Sequence, residues 1–177
     1  MEDISQHILD IAENSVRANA TKIEISIVRD LAKDMLRVEV SDDGRGMNSV
    51  ALAKVRDPFF TTKGKKTGLG IPFLVQAAEQ SGGDVTIDSA LGSGTRIVAT
   101  FNWSHVDRPA IGSMTATLMT LVAGHPDIDV VYEEREGARI FRLDTREIKH
   151  DLEGKPICAP EVLTVIRALL NKRTTFG

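Results

Sequence analysis

Three residues near the start of the chain carry the side chains that a metal–phosphate site needs. Asp10, Asn14 and Arg17 recur at helical spacing. With about 100° per residue on a helix, they fall within about 60° of one another. An amide oxygen can complete the oxygen shell of a divalent cation, and an acid can orient water or accept a proton. A solvated helix face is the plainer alternative. His7 lies close to Asn14 on the same wheel and reads as packing or solvent contact.

Three glycine blocks follow. Asp42-Asp43-Gly44-Arg45-Gly46 comes directly after a strand pattern. There a carboxylate can accept a hydrogen bond while the backbone closes on a flat ligand. An ordinary turn is the alternative. Thr67-Gly68-Leu69-Gly70 opens a helix behind Lys63, Lys65 and Lys66. Glycines there let backbone N–H groups reach phosphate oxygens, and the helix dipole favours the negative charge. A solvated lysine loop is the alternative. Gly92-Ser93-Gly94-Thr95, taken alone, is a hairpin turn.

The elements that must position these blocks come from periodicity. Ile4 to Ala18 predicts an amphipathic helix with Ile4, Ile8, Ile11, Ser15 and Ala18 facing the core. Lys22 to Val28 and Met35 to Val40 alternate as half-buried strands. A short helix from Asn48 to Val55 and a mobile loop from Asp57 to Thr67 come next. A helix from Gly68 to Ser81 and strands at Val85–Ile87 and Arg96–Phe101 complete the half. This order predicts an α+β fold: a two-layer sandwich whose mixed, mostly antiparallel sheet is covered by helices. Trp103 to Arg108 marks a boundary between residues 1–104 and a small C-terminal α/β extension, residues 105–177. The extension reads as helix (Ser113–Val122), hairpin (Asp129–Glu134, Ala138–Asp144) and helix (Pro160–Leu170). Extending the sheet, forming a homodimer and contacting a partner are the three roles open to it, and its pattern does not choose among them.

The chain of 177 residues is 42% hydrophobic with a net charge of -3, enough for one core and no argument for nucleic acid. No apolar run approaches the ~18 residues of a membrane span, and the N-terminus lacks a secretory pattern. A lone cysteine, Cys158, suits a reducing cytoplasm and an inert structural thiol.

Taken in order, the blocks around Asn14, Asp42-x-Gly44-x-Gly46, Asp57-Pro58-Phe59-Phe60-Thr61-Thr62-Lys63, Gly68-Leu69-Gly70 and Gly92-Ser93-Gly94-Thr95 closely resemble the conserved boxes of the Bergerat-type ATP-binding superfamily. That superfamily includes gyrase, MutL, chaperone and histidine-kinase ATP domains. The resemblance covers about Ile4 to Phe101. It implies ATP and Mg²⁺ as cofactors, with Asn14 holding the Mg²⁺ and Asp42 accepting the adenine amino group. Gly44, Gly46, Met47 and Thr95 would shape the adenine pocket. Thr67, Gly68, Leu69 and Gly70 would admit the phosphates, and Arg17 and Lys63 would meet their charge. Residues 57–67 would form an ATP lid, with Phe59 or Phe60 as its latch or as core.

The departures bear on chemistry. Gyrase- and MutL-like relatives carry a glutamate four residues before the asparagine; here Asp10 stands there, one methylene shorter, as the candidate base. Glu13 is structural or solvated. Only a few residues precede the first helix, so the phosphoacceptor hairpin of a histidine kinase is not expected. His105, His125 and His150 lack metal-ligand spacing. The implied function is a stand-alone regulatory kinase or ATPase, passing the γ-phosphoryl to water or to a partner protein supplied in trans. Stand-alone anti-sigma-factor kinases are the nearest analogy. The alternative is an ATP-gated protein-binding regulator with little turnover.

Overall fold

The computed structural model describes residues 2–59 and 69–173. The first helix, α1 (Ile4–Arg17), begins at a capping box. Asp3 accepts from the Gln6 backbone, and the Gln6 side chain accepts from the Asp3 backbone. Its stripe of Ile4, Ile8, Ile11 and Ala12 is buried. Strands β1 (Lys22–Asp30) and β2 (Met35–Asp42) alternate as their sequences require, with Ile23, Ile25, Ile27, Leu36, Val38 and Val40 inside. After α2 (Ser49–Lys54), which buries no residue, comes α3 (Gly70–Gln80). Strands β3 (Val85–Ser89) and β4 (Thr95–Asn102) complete the half that carries the blocks.

The rest of the chain joins the same sheet. Helix α4 (Met114–Gly124), strands β5 (Asp129–Glu136) and β6 (Arg139–Asp144), and helices α5 (Thr145–Asp151) and α6 (Pro160–Asn171) follow. The six strands run β3-β4-β2-β1-β5-β6. Every neighbouring pair is antiparallel except β1 with β5, which run parallel from Lys22↔Asp129 to Arg29↔Glu136. One face of the sheet packs under the helices. The opposite face carries polar groups such as Arg37, Glu39 and Arg96, paired at 2.6 Å. Of the roles left open for the C-terminal segment, extension of the sheet is the one observed.

That segment is fastened to α1 at several points. The first amides of α1, Ile4 and Ser5, donate to the carbonyls of Ala110 and Ile111 at 2.9 and 2.8 Å. Thr117 Oγ1 donates to the Ser5 carbonyl at 3.1 Å. Trp103, at the expected boundary, is stacked between the guanidiniums of Arg29 and Arg108, each 4.0 Å from its ring centre. Helix α5 is absent from the sequence reading: TREIKHD offers a single apolar residue, Ile148, and so no periodicity.

Buried polar groups seal the far end. Arg173 Nε donates to Glu134 Oε1 at 2.8 Å, both side chains are under 10% exposed, and Tyr132 donates its hydroxyl to the same oxygen. Burial holds the Tyr132 pKa far above its usual value, keeping the hydroxyl a donor. Removing one member of a buried pair leaves an uncompensated charge. Arg173→Met is therefore expected to lose about 3–5 kcal/mol in urea unfolding, and Arg173→Met with Glu134→Met to recover most of it. Equal losses in the two would show that the pair does not hold α6 down.

Candidate functional site

Strand alternation and register place three polar residues side by side. Asp42 continues the inward row of Leu36, Val38 and Val40; Thr95 begins that of Ile97, Ala99 and Phe101; Ser89 ends that of Val85 and Ile87. The ladder pairs Asp42 with Thr95 and Thr95 with Ser89. All three therefore face the helix layer at the same end of the sheet. They line a cavity of about 560 Å³ with Leu52, Ala90 and Gly94, which continues past Ser41, Asp88 and Arg96 on the strand ends.

Asp42 is held from two sides. Ser15 Oγ donates to its Oδ2 at 2.5 Å, and the Gly44 amide donates to its Oδ1 at 2.8 Å. Each oxygen keeps a lone pair for an incoming donor. Ser89 Oγ accepts from the Met47 amide at 2.9 Å and lies 2.9 Å from both the Gly94 carbonyl and Thr95 Oγ1. The glycines allow this closure. A Cβ on Gly44 would lie 2.9 Å from the Ala18 carbonyl oxygen. Gly46 has φ +69°, and a Cβ there would sit 1.9 Å from the Ala90 oxygen. Gly94 has φ +73°, and a Cβ there would sit 1.9 Å from the backbone carbonyl oxygen of Asp42.

The second part of the site is on α1. Arg17 Nη2 donates to Asn14 Oδ1 at 2.6 Å. Asp10 packs against the start of α3, where a Cβ on Gly70 would lie 2.8 Å from the Asp10 Cβ. Asp10 stays exposed, but partial desolvation against α3 raises its pKa above the usual carboxylate value, with Glu2 adding to the effect. Leu69, the residue before α3, makes no side-chain cap, so the first amides of that helix are left for other acceptors. Asp10, Asn14 and Arg17 do not line that cavity; Ser15, next to Asn14, connects the two parts through Asp42.

Of the other sequence candidates, Lys63, Thr67, Gly68 and Phe60 lie outside the described residues. Phe59 is 94% exposed and so is not core. Glu13 is structural, reaching His125 Nε2 at 3.0 Å. His7 is buried, its Nδ1 makes no hydrogen bond among the described residues, and burial lowers its pKa. Among the described residues no three His, Cys, Asp or Glu side chains cluster as a metal site, and no helix is long and apolar enough to cross a membrane. Sequence reasoning missed Ser89 and Leu52, and it read Ser15 as a core position. For Ser15 and Ser89 the available signal was a serine standing where an apolar residue would continue the buried row; Leu52, on a helix that buries no residue, gave none.

The site thus combines a carboxylate anchored at the end of β2, glycine loops in close contact around it, and a helix start at which Leu69 makes no side-chain cap. Residues 2–105 match the family of histidine kinase-, DNA gyrase B- and HSP90-like ATPases. The chain belongs to this family. Its fold is the Bergerat ATP-binding fold, and it is homologous to histidine-kinase ATP-binding domains. It is 34% identical over 92 residues to the sensor histidine kinase ZraS of Klebsiella oxytoca, covering 51% of this chain and 20% of that protein. It is 41% identical over 85 residues to the sensor kinase CckA of Brucella abortus, covering 46% of this chain and 9% of that one. The chain thus spans a quarter or less of these relatives' length. Among solved structures, the N-terminal domain of a DNA repair protein aligns with TM-score 0.57 and 12% identity, covering 81% of this chain and 53% of that one. That likeness speaks for the fold.

In this ATPase domain, the approach of Gly94 to Asp42 can be separated from its backbone angle. Gly92, with φ +78°, has no atom within 4 Å of a would-be Cβ. Gly92→Ala is expected to cost about 1–2 kcal/mol from its φ alone. Gly94→Ala is expected to cost more and to abolish ATP binding. Equal thermal shifts and intact binding in both would show that the close approach is unnecessary.

Proposed function

We propose that the protein binds Mg-ATP and passes the γ-phosphoryl to a hydroxyl on a partner protein or to water, as a regulatory kinase or ATPase. The observation that carries this is the doubly anchored Asp42 facing a cavity of about 560 Å³ bounded by Thr95 and Gly94. Asp42 would accept the exocyclic amino group of adenine, and Gly44, Gly46, Met47 and Thr95 would frame the ring. A keto group at the same place would present an acceptor to an acceptor, which selects against guanine. Gly68, Leu69 and Gly70 would admit the phosphates beside the start of α3.

The residues present fit a magnesium ion. With no acidic cluster among the described residues, the cation would take Asn14 Oδ1 as its protein oxygen, the remaining ligands being phosphate and water. Bound there, it would neutralise developing phosphate charge. Arg17 and Lys63 would add positive charge. Asp10 would accept the proton of the attacking hydroxyl or water, working only when ionised. The chain's relation to histidine-kinase ATP-binding domains supports a regulator acting on a partner in trans.

A second reading, an ATP-gated protein binder with little turnover, is favoured by the short acid at Asp10 and by the 94% exposure of Phe59, one of the residues expected to form the lid. Equal partner capture with and without ATP would dismiss it.

Labelled ATP separates the two. Asp42→Asn is expected to weaken ATP binding roughly a hundredfold by calorimetry, and Ser15→Ala about tenfold through loss of a charge-assisted bond. Unchanged affinity in both would remove Asp42 from the base pocket. Asp10→Asn is expected to keep ATP affinity while phosphate release or transfer falls about a hundredfold or more. In the parent protein the rate should rise with pH through a carboxyl value above the ordinary one, because partial desolvation and the Glu2 charge delay Asp10 ionisation. A flat profile, or an Asp10→Asn variant as fast as the parent, would take that role away.

A further inference from the structure

The oxygen that the preceding reading gives to magnesium is already in use. Asn14 Oδ1 accepts from Arg17 Nη2 at 2.6 Å across one turn of α1. Arg17 is exposed at the last turn of the helix, and among the described residues this is its one hydrogen bond, with no carboxylate in ion-pair range. Among the described residues, the guanidinium therefore rests on a neutral amide oxygen and not on a carboxylate. That oxygen lies on the same helix face as Asp10, whose charge reaches Arg17.

Resting on that reading, we propose that Arg17 is a positioning residue that stands in for the cation. It occupies Asn14 Oδ1 in the nucleotide-free protein and turns the amide oxygen, not its NH₂, toward the site. It then gives that oxygen up when Mg-nucleotide arrives. The exchange is chemically balanced. The incoming phosphates offer the guanidinium a better acceptor than an amide, because paired charged N–H···O bonds match phosphate geometry. A three-methylene stem at a helix terminus allows the swing without moving the backbone. The same contact opposes free Mg²⁺, so the cation enters together with phosphate.

The test is the magnesium dependence of nucleotide binding, which does not depend on turnover. A non-hydrolysable ATP analogue is titrated by calorimetry at Mg²⁺ concentrations from none to saturating, with the parent, Arg17→Ala and Arg17→Lys. Arg17→Ala should bind the analogue more weakly without Mg²⁺ and reach its affinity plateau at roughly five-fold lower Mg²⁺, the size expected for losing one exposed charge-assisted bond. Arg17→Lys should keep much of the Mg²⁺-free affinity and fall between the two in its Mg²⁺ midpoint. If Arg17→Ala loses affinity by one factor at every Mg²⁺ concentration, Arg17 touches phosphate only and the stand-in role is overturned. An unchanged curve overturns it as well. If the parent protein binds no analogue at any Mg²⁺ concentration, the Mg-ATP reading itself fails.

Discussion

The site depends on a single carboxylate being held still. Asp42 sits at the end of a strand, where a side chain would otherwise be free to turn into water. Ser15 reaches it from the helix above, and Gly44 reaches it from the loop beyond. These two bonds connect three elements that the chain forms independently: α1, the end of β2 and the glycine loop. Charge-assisted bonds of this kind are stronger than neutral ones, and two of them leave the carboxylate little choice of orientation. Each neighbouring glycine then follows as a steric requirement, because the loops must pass within about 2–3 Å of where side-chain carbons would lie.

Helix α1 is where the two halves of the chain meet. Its inner stripe packs on the sheet, its last two turns carry Asn14 and Arg17, and its first amides are satisfied by carbonyls from the segment after β4. Glu13 on the same helix reaches His125 beyond α4. A change in the C-terminal part therefore has a direct mechanical route to the residues beside the phosphate end. The layer order follows from the same demand, since a helix bearing polar chemistry at one end must be buried firmly along its length.

Much of this was legible from residue order. Ile23, Ile25 and Ile27 alternate, and so do Leu36, Val38 and Val40; the strands they imply are the strands observed. The glycine blocks were legible because only glycine tolerates positive φ with backbone at close range, as at Gly46 and Gly94. What stayed hidden is non-local. Ser15 reads as a small core residue until β2 is brought beneath it. Ser89 gains its role from Met47 and Gly94, distant in sequence on one side and across a turn on the other. The pairing of β1 with β5 has no local signature, because alternation reports which face is buried and not which strand lies alongside. Helix α5 is short and nearly without apolar residues, so its existence rests on the Asp144 cap and on packing against β5.

The parallel contact between β1 and β5 also sets an order of events when the chain is made. Residue 22 finds its partner at residue 129, whereas β1–β2 and β3–β4 are joined by short turns. Closing so long a loop costs entropy before any contact repays it, so the hairpins form first. On the ribosome, one margin of β1 then stays open, with its amides and carbonyls unclaimed, until β5 emerges. For that interval the nascent protein exposes a strand edge of alternating isoleucines, the kind of surface that chaperones bind and that neighbouring chains can mispair with.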